Sequence, residues 1–187
     1  MQRLRFEIGS RRAGERGFTM AELMAVVAIV GILSVVGTTS YRKFVAHSKT
    51  AEVLTMFANI KVAQEAYKDE TFQYLGPSGK TLDGYYPDNK KPGLQKMNFA
   101  GTGTGALEWQ RLAVHVAAPV LFVYACAAGG ATDAIPGPGS DISVGNWPVT
   151  VSAPWYVIKA KADLHGNGVP TVFATGSFSG DIYSAND

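Results

Sequence analysis

The sequence predicts an α+β protein, in which a long N-terminal α-helix packs on an antiparallel sheet of about four strands. An apolar run from Phe18 to Gly37 is followed by apolar residues at helical spacing, and the first proline in the chain is Pro77. The second half of the chain carries short alternating or apolar runs, which Gly- and Pro-rich stretches separate. Such a sheet has one apolar face, and the outer half of the helix offers a stripe that covers it.

The apolar run from Phe18 to Gly37 contains 20 residues, about the number that a helix needs to cross a bilayer core of ~30 Å. One acid, Glu22, interrupts the run. A charged side chain near the bilayer centre costs at least ~2.5 kcal/mol, and less near the interface, where Glu22 would lie. The sequence therefore marks Glu22 as a candidate functional residue that needs a partner. The alternative is a simple signal anchor, with Glu22 at the membrane surface.

The segment that precedes the apolar run is basic. Residues 1–17 contain five arginines against two glutamates, which gives a side-chain charge of +3. A basic segment before an apolar helix predicts a cytoplasmic N-terminus and export of the rest of the chain. The whole chain has a net charge of only +2, so composition gives no reason to expect a nucleic-acid partner.

Residues 17–22, GFTMAE, together with the apolar helix after them, resemble the N-terminal signature of type IV pilins and related pseudopilins. The usual form of that signature is Gly-Phe-Thr-Leu-(Leu/Ile)-Glu. The resemblance implies that a prepilin peptidase cuts after Gly17 and that the new N-terminus, Phe18, is methylated. It also implies that the Glu22 carboxylate meets the terminal amine of a neighbouring subunit, so that two buried charges compensate each other.

This resemblance divides the chain into three parts. Residues 1–17 form a basic leader peptide, residues 18–37 form the half of the helix in the membrane or filament core, and residues 38–187 form a periplasmic or extracellular head. It implies a structural subunit of a type IV pilus, anchored in the inner membrane before assembly. The expected partners are homologous pilin subunits, the prepilin peptidase, the inner-membrane assembly machinery and the membrane itself.

Two departures from the family pattern bear on the role within it. The proline that often follows the apolar run is replaced here by Thr39, so we expect a continuous helix over roughly residues 18–73. The single cysteine, Cys126, cannot form an intramolecular disulfide, and its apolar surroundings predict a buried side chain. Both departures favour a pilus subunit other than a typical major pilin. The alternatives are a pseudopilin of a type II secretion system and a bitopic, membrane-anchored binding domain.

The strands are predicted from short patterned runs after the long helix. Each run shows period-two alternation or continuous apolar character between turn signals. In the run Trp155–Ala162, Lys159 and Lys161 are expected to face solvent. The predicted strands are Trp109–Ala117, Val120–Ala127, Trp155–Ala162 and Pro170–Thr175, with an edge strand within Ser177–Tyr183.

The loops offer weaker functional signals. Residues 74–106 suggest a nucleic-acid or surface-binding patch, although a solvated loop with aromatics packed on the sheet is the favoured interpretation. The patch would consist of Lys80, Lys90, Lys91, Lys96, Tyr85, Tyr86 and Phe99. Residues 163–168, DLHGNG, resemble a calcium loop, but His165 is a poor calcium ligand and no bidentate acid follows, so a plain turn is favoured. The histidines have no Cys or carboxylate at zinc-ligand spacing, and the glycines of 101–105 lack the Lys of a phosphate loop. We therefore expect no enzyme activity, cofactor or metal.

Overall fold

The computed structural model describes residues 17–87, 95–100, 105–164 and 166–186. The predicted α+β class is confirmed, because a long N-terminal helix precedes a four-stranded antiparallel sheet. The chain divides into two compact units, with the boundary between Arg42 and Lys43. The elements are α1 (Met20–Thr71), α2 (Ala106–Arg111), β1 (Val123–Gly129), β2 (Trp155–Ala162), β3 (Thr171–Gly176) and β4 (Tyr183–Ala185).

Helix α1 is one continuous element of 52 residues, as the absence of proline predicts. It passes through both Gly31 and Gly37 without interruption. The helix ends where Phe72 adopts a left-handed conformation, with φ of 60°. The Phe72 N–H bonds to the carbonyl of Lys68 at 2.7 Å, which closes the last turn.

The sheet has the strand order β1-β2-β3-β4, and every neighbouring pair is antiparallel. Cys126 of β1 lies opposite Ile158 of β2, and Ile158 in turn lies opposite Thr175 of β3. Strand β4 has only three residues, which limits the backbone that the sheet edge exposes.

One face of the sheet packs against the outer half of α1. The buried helix residues Val53, Met56, Phe57 and Ile60 recur at spacings of three or four, so they form one stripe. They form a single core cluster with alternate residues of β1, β2 and β3, because side chains one residue apart in a strand point to opposite faces. The strand residues of this cluster are Tyr124, Cys126, Tyr156, Ile158, Ala160, Ala162 and Phe173.

Polar side chains of α1 also bond directly to the rest of the head. The Glu52 Oε1 atom accepts the backbone N–H groups of Leu121 and Phe122 at 2.6 and 3.2 Å. Two turns later, the Asn59 amide donates to the carbonyl of His115 at 2.9 Å. The helix is therefore fastened to the segment before β1 by hydrogen bonds as well as by packing.

Gln64 joins three parts of the head, although its side chain is completely buried. Its amide Nε2 donates to the carbonyl of Leu75 at 2.6 Å, and its Oε1 accepts the Leu75 N–H at 3.1 Å. The same Nε2 lies 3.2 Å from the Sγ atom of Cys126. Cys126 is buried, as predicted, and burial raises the pKa of its thiol to about 12 against the opposing effect of the Gln64 hydrogen bond.

The opposite face of the sheet is covered by residues 130–154, an irregular segment that we call the strap. Its buried side chains Ile135 and Ile142 pack on this face, and the half-buried Trp147 joins both apolar clusters there. The strap connects β1 to β2 and then folds back over the strands. The sheet is thus covered on both faces, by α1 on one and by the strap on the other.

The prediction that Lys159 and Lys161 face solvent is wrong. Lys159 is only 4% exposed and Lys161 is half-buried. Both side chains lie on the face of the sheet that points away from the helix, as alternation predicts, but the strap covers that face. Both ammonium groups instead bond to Asp141 of the strap.

The predicted strand Trp109–Ala117 is also wrong. Its first residues lie in helix α2, and the structure places no strand between that helix and β1 in the described residues. Ala106, Trp109 and Leu112 are all buried, and their spacing of three puts them on one side of a helical turn. Trp109 stacks on Tyr86 with ring centroids 5.8 Å apart, which fixes this turn against the core.

The Tyr124 hydroxyl is buried and has no hydrogen-bond partner among the residues that the structure describes. Burial, together with the charge of Glu52, raises its pKa well above the ordinary tyrosine value, so the hydroxyl stays protonated.

Because an unpartnered buried hydroxyl only costs desolvation, we expect Tyr124→Phe to keep or raise the free energy of unfolding, by up to ~1 kcal/mol. Urea titration of the full chain in detergent checks this. A loss of more than ~1 kcal/mol would mean that the hydroxyl has a partner.

Candidate functional site

The candidate site lies at the start of α1. Gly17, Phe18 and Thr19 precede the helix, which begins at Met20. The Phe18 side chain is 79% exposed. The peptide bond between Gly17 and Phe18 is thus outside regular secondary structure, where a protease can reach a backbone without unwinding a helix.

Gly17 is not required by the fold of the described chain. A Cβ atom added at this position would meet no atom within 4 Å. Sterics among the described residues therefore give no reason for a glycine here.

Thr19 and Glu22 form a capping box at the N-terminus of α1. The Thr19 Oγ1 atom accepts the backbone N–H of Glu22 at 3.2 Å, while the Glu22 Oε2 atom accepts the Thr19 N–H at 3.3 Å. The Thr19 hydroxyl also donates to Glu22 Oε2 at 3.2 Å. This reciprocal arrangement satisfies backbone donors that the helix leaves unpaired, and it puts a negative charge at the positive end of the helix dipole.

The capping box shows what the sequence reasoning missed. A Thr followed three residues later by Glu, at the start of an apolar run, is itself a helix-start signal. Glu22 therefore has a partner within its own chain, although that partner carries no charge. All of the bonds that the box uses lie at the exposed end of the helix.

The helix beyond the capping box is apolar and exposed. Residues Met20–Tyr41 form the one stretch of the described helices that is long and apolar enough to cross a membrane, judged by length and composition. None of that stretch is buried within the chain, so its side chains are free to contact lipid or other helices. The large exposed ones are Met20, Leu23, Met24, Val26, Val27, Ile29, Val30, Ile32, Leu33, Val35, Val36 and Tyr41.

Hydroxyl groups lie where the expected proline is missing. Thr38 Oγ1 donates to the Ser34 carbonyl at 2.8 Å, and Thr39 Oγ1 donates to the Val36 carbonyl at 2.9 Å. Such bonds to carbonyls one turn back compete with the helical ladder and tend to bend a helix slightly. Unlike proline, they do not remove any backbone N–H from the helix.

The remaining candidate sites are structural in the described residues. In the turn after β2, the two carboxylate oxygens of Asp163 accept the backbone N–H groups of Gly166, Asn167 and Gly168 at 2.7 to 3.2 Å. These hydrogen bonds hold the turn together. The preference for a plain turn over a calcium loop stays a prediction, and His165 lies outside the described residues. The described part of the chain contains no group of three His, Cys, Asp or Glu that could hold a metal.

The loop aromatics also serve the fold. Tyr86 and Phe99 are buried in the core cluster, with their rings 5.0 Å apart. Lys80 is exposed, with its ammonium 3.9 Å from the Asp133 carboxylate, while Lys90 and Lys91 lie outside the described residues. The favoured interpretation, aromatics packed on the sheet, thus holds for Tyr86 and Phe99.

Comparison with known proteins gives one family match at this N-terminal site and matches to several pilins and fimbrial proteins. The model of the prokaryotic N-terminal methylation motif matches residues 12–38. The type IV major pilin protein PilA of Myxococcus xanthus is 42% identical over 59 residues, which cover 32% of this chain and 27% of that protein. A type IV major fimbrial protein FimA of Dichelobacter nodosus is 35% identical over 86 residues, or 45% of this chain and 53% of its own. The fimbrial protein EcpC of Eikenella corrodens is 39% identical over 57 residues, 30% of this chain and 37% of its own.

The chain spans about a quarter to a half of the length of these relatives. No solved structure matches it. The motif match includes Gly17, Phe18 and Glu22, and the relatives are named as type IV pilins or fimbrial proteins. The resemblance to type IV pilins is therefore confirmed.

Proposed function

We propose that this type IV pilin-like chain is a structural subunit of a type IV pilus, assembled into a filament through helix α1. The match of residues 12–38 to the methylation motif is the observation that carries the proposal. The exposed apolar stretch Met20–Tyr41 supports it, because such a surface is stable only against lipid or other apolar helices.

Processing is the first step of this function. A prepilin peptidase cuts between Gly17 and Phe18, and the new amine of Phe18 is methylated. Two observations support this assignment: the bond lies outside the helix, and Gly17 has no steric role in the described chain. A glycine that the fold does not need is consistent with recognition by an enzyme.

Assembly is the second step, and Glu22 has the decisive role in it. In a filament, the helix leaves lipid for a bundle of neighbouring helices, where its carboxylate would be removed from water. A lone buried charge is unstable, whereas one paired with the cationic amine of a neighbour's Phe18 is compensated. The capping box supports this role, because it holds the carboxylate at the helix end, beside the site of the new terminus.

The three proposed parts of the chain follow this pathway. Residues 1–17 are a leader that stays cytoplasmic, residues 18–37 cross the inner membrane and later enter the filament core, and residues 38–187 form the exported head. The assembly partners are homologous pilin subunits and the inner-membrane machinery. No enzymatic role is proposed, since the relatives are structural pilins by name.

The measurement that tests the proposal is the mass of the N-terminal peptide of the native protein. We expect it to begin at Phe18 and to carry one methyl group. A bitopic, membrane-anchored binding domain would instead begin upstream of Phe18, at Met1 if no cleavage occurs. The proposal would be overturned if the native protein from piliated cells still contained residues 1–17 and carried no methyl group.

A second measurement separates a pilus subunit from a pseudopilin of a type II secretion system, which shares the same motif. We expect this chain to be recovered in filaments sheared from the cell surface. Its abundance in those filaments would separate a major from a minor pilin. Its absence from sheared filaments, with loss of secretion on deletion of the gene, would assign it to a secretion pseudopilus.

A further inference from the structure

Besides a hydrogen bond from Trp155 Nε1 to the Asp133 carbonyl at 3.2 Å, the strap is bonded to β2 through one carboxylate that bridges two lysines. The Lys159 Nζ atom lies 2.6 Å from Asp141 Oδ1, and the Lys161 Nζ atom lies 3.0 Å from Asp141 Oδ2. Lys159 and Lys161 are two residues apart on one strand, so their side chains emerge on the same face. A single acid in an irregular loop thus contacts two positions of strand β2.

This ionic contact lies at a largely water-excluded position. The side chain of Lys159 is 5% exposed and that of Asp141 is 25% exposed. A buried ammonium without a partner is strongly unfavourable, so Lys159 favours any arrangement that keeps Asp141 in place. The Tyr85 ring covers the other lysine, with its centroid 5.2 Å from the Lys161 Nζ atom.

The strap backbone also closes around this contact. Gly139 has φ of 97°, and a Cβ atom there would lie 2.7 Å from the Lys159 ammonium and 2.8 Å from the Asp141 carboxylate. With any larger residue, the ammonium or the carboxylate would have to move. The glycine therefore permits the close approach of loop and strand at this point.

The apolar contacts of the strap are separate from the helix–sheet core. Strap residues occur in the two clusters on the second face of the sheet. The core cluster that contains α1 includes no residue of 130–154. Release of the strap would therefore uncover the second face without removing a side chain from the core that α1 shares with the sheet.

We propose that the strap is a latched cover, in which Asp141 bridges Lys159 and Lys161 and holds residues 130–154 over the second face of the sheet. Loss of this one negative charge releases the strap locally while the helix–sheet core stays folded. The device does not depend on filament assembly, and a chain with one cysteine has no disulfide that could do the same work. Opening bares an apolar surface that includes Ala125, Ala127, Trp155, Val157, Val172 and Ala174.

The groups facing Asp141 determine how the latch responds to acid. Lys159 and Lys161 face it from β2, Tyr85 faces it from the connection before the sheet, and Tyr183 of β4 packs beside the neighbouring strap residue Ile142. Burial alone would raise the pKa of Asp141, but the hydrogen bonds and the positive charges of the two lysines together outweigh burial and lower it. A lowered pKa in the folded state means that the latch is complete at neutral pH and is lost only as the pH falls through that lowered value.

Hydrogen exchange of the full chain in detergent micelles tests the latch. In Asp141→Asn, we expect exchange of the strap amides to rise by about tenfold or more at neutral pH, because the variant leaves a buried ammonium uncompensated. Exchange in residues 53–64 of α1 should stay as in the wild type. Asp133→Asn is the matched control, since Asp133 lies on the same strap with its carboxylate 46% exposed and paired with the exposed Lys80.

Further variants decide the remaining cases. Lys161→Met leaves the buried bond between Lys159 and Asp141 in place, so it should raise strap exchange less than Asp141→Asn; it also provides the test if Asp141→Asn does not fold. The double variant Lys159→Met/Asp141→Leu should restore much of the protection, since apolar groups can replace a buried ion pair. The latch is refuted if hydrogen exchange of the strap in Asp141→Asn equals that of the wild type. If Asp141→Asn does not fold, unchanged strap exchange in Lys161→Met refutes it. Equal acceleration in the strap and in α1 would refute its local character.

Discussion

Replacing Glu22 by alanine is expected to reduce incorporation of the subunit into filaments about 100-fold or more, while cleavage after Gly17 proceeds normally. The proposed filament contact pairs the Glu22 carboxylate with a neighbour's terminal amine among apolar helices. Removing one partner of a buried ion pair costs about 3–5 kcal/mol, which corresponds to a factor of roughly 100 or more in an equilibrium constant. Immunoblots of sheared filaments and of membranes, with the N-terminal mass of the membrane pool, measure both quantities.

A glutamine at the same position separates the two roles of Glu22. Glu22→Gln keeps an oxygen that can accept the Thr19 N–H, because glutamine also serves in a capping box, but it removes the charge. We expect it to fail in assembly nearly as severely as Glu22→Ala. Normal assembly of the glutamine variant would assign the role of Glu22 to helix capping instead. Wild-type filament numbers in Glu22→Ala would refute the assembly role altogether.

The control for both variants is an acid on the same helix far from the proposed contact. Glu70 lies exposed near the end of α1, so Glu70→Ala should assemble as the wild type does. A comparable loss in that variant would mean that helix charge in general, and not Glu22 in particular, governs assembly.

Phe57→Ala is expected to destabilise the head by about 3–5 kcal/mol, the range for removing a buried aromatic side chain from a packed core. Phe57 is 1% exposed, and its ring meets the Tyr124 ring edge-on with centroids 6.5 Å apart. The loss combines transfer of the ring with the cavity left between α1 and β1. Urea titration of the full chain in detergent, followed by tryptophan fluorescence, gives the free energy of unfolding, because Trp109 and Trp155 are buried in the head.

The matched control is three residues earlier on the same helix. Leu54 is 48% exposed, so Leu54→Ala should cost well under the ~2–5 kcal/mol of a buried leucine. If both variants lose the same free energy, the helix does not pack on the sheet through the stripe that includes Phe57. If neither loses more than ~1 kcal/mol, the core around Phe57 is not closely packed.

Helix α1 was predictable from the sequence because a single pattern extends over many turns. The buried stripe from Val53 to Ile60 predicts a helix, and the lack of proline predicts that this helix is continuous. An ambiguous residue within so long a pattern therefore does not change the prediction. The segment around Trp109 is different, since it is too short for its period to be certain. Its alternating residues after Leu112 suggest a strand, while the spacing from Trp109 to Leu112 fits a helical turn, and packing of the Trp109 ring decides in favour of the turn.

The two covered faces of the sheet show a second limit of sequence reasoning. Alternation along β2 assigns Lys159 and Lys161 to the face opposite the helix, and that assignment is correct. Alternation says nothing about what covers the face, however, and the strap has no periodicity that would indicate a cover. Asp141 of the strap lies 18 residues from Lys159 in the sequence, so no local pattern relates these two residues.

At the candidate site, the spacing of residues gives the positions but not the contacts. Gly17, Phe18 and Glu22 follow from a short motif at the start of an apolar run. The bonds between Thr19 and Glu22 follow from the fold, although the same spacing would have indicated them. The proposed amine partner belongs to a neighbouring subunit and therefore is not a property of one chain.

The hydrogen bonds of Glu52, Asn59 and Gln64 also have a mechanical meaning. They attach α1 to the rest of the head at three levels, spread along more than three helical turns. A pull along the helix axis loads such bonds in parallel, as shear, so they resist together instead of separating one after another. A subunit held by its helix would therefore yield under tension only when this whole row of bonds fails at once.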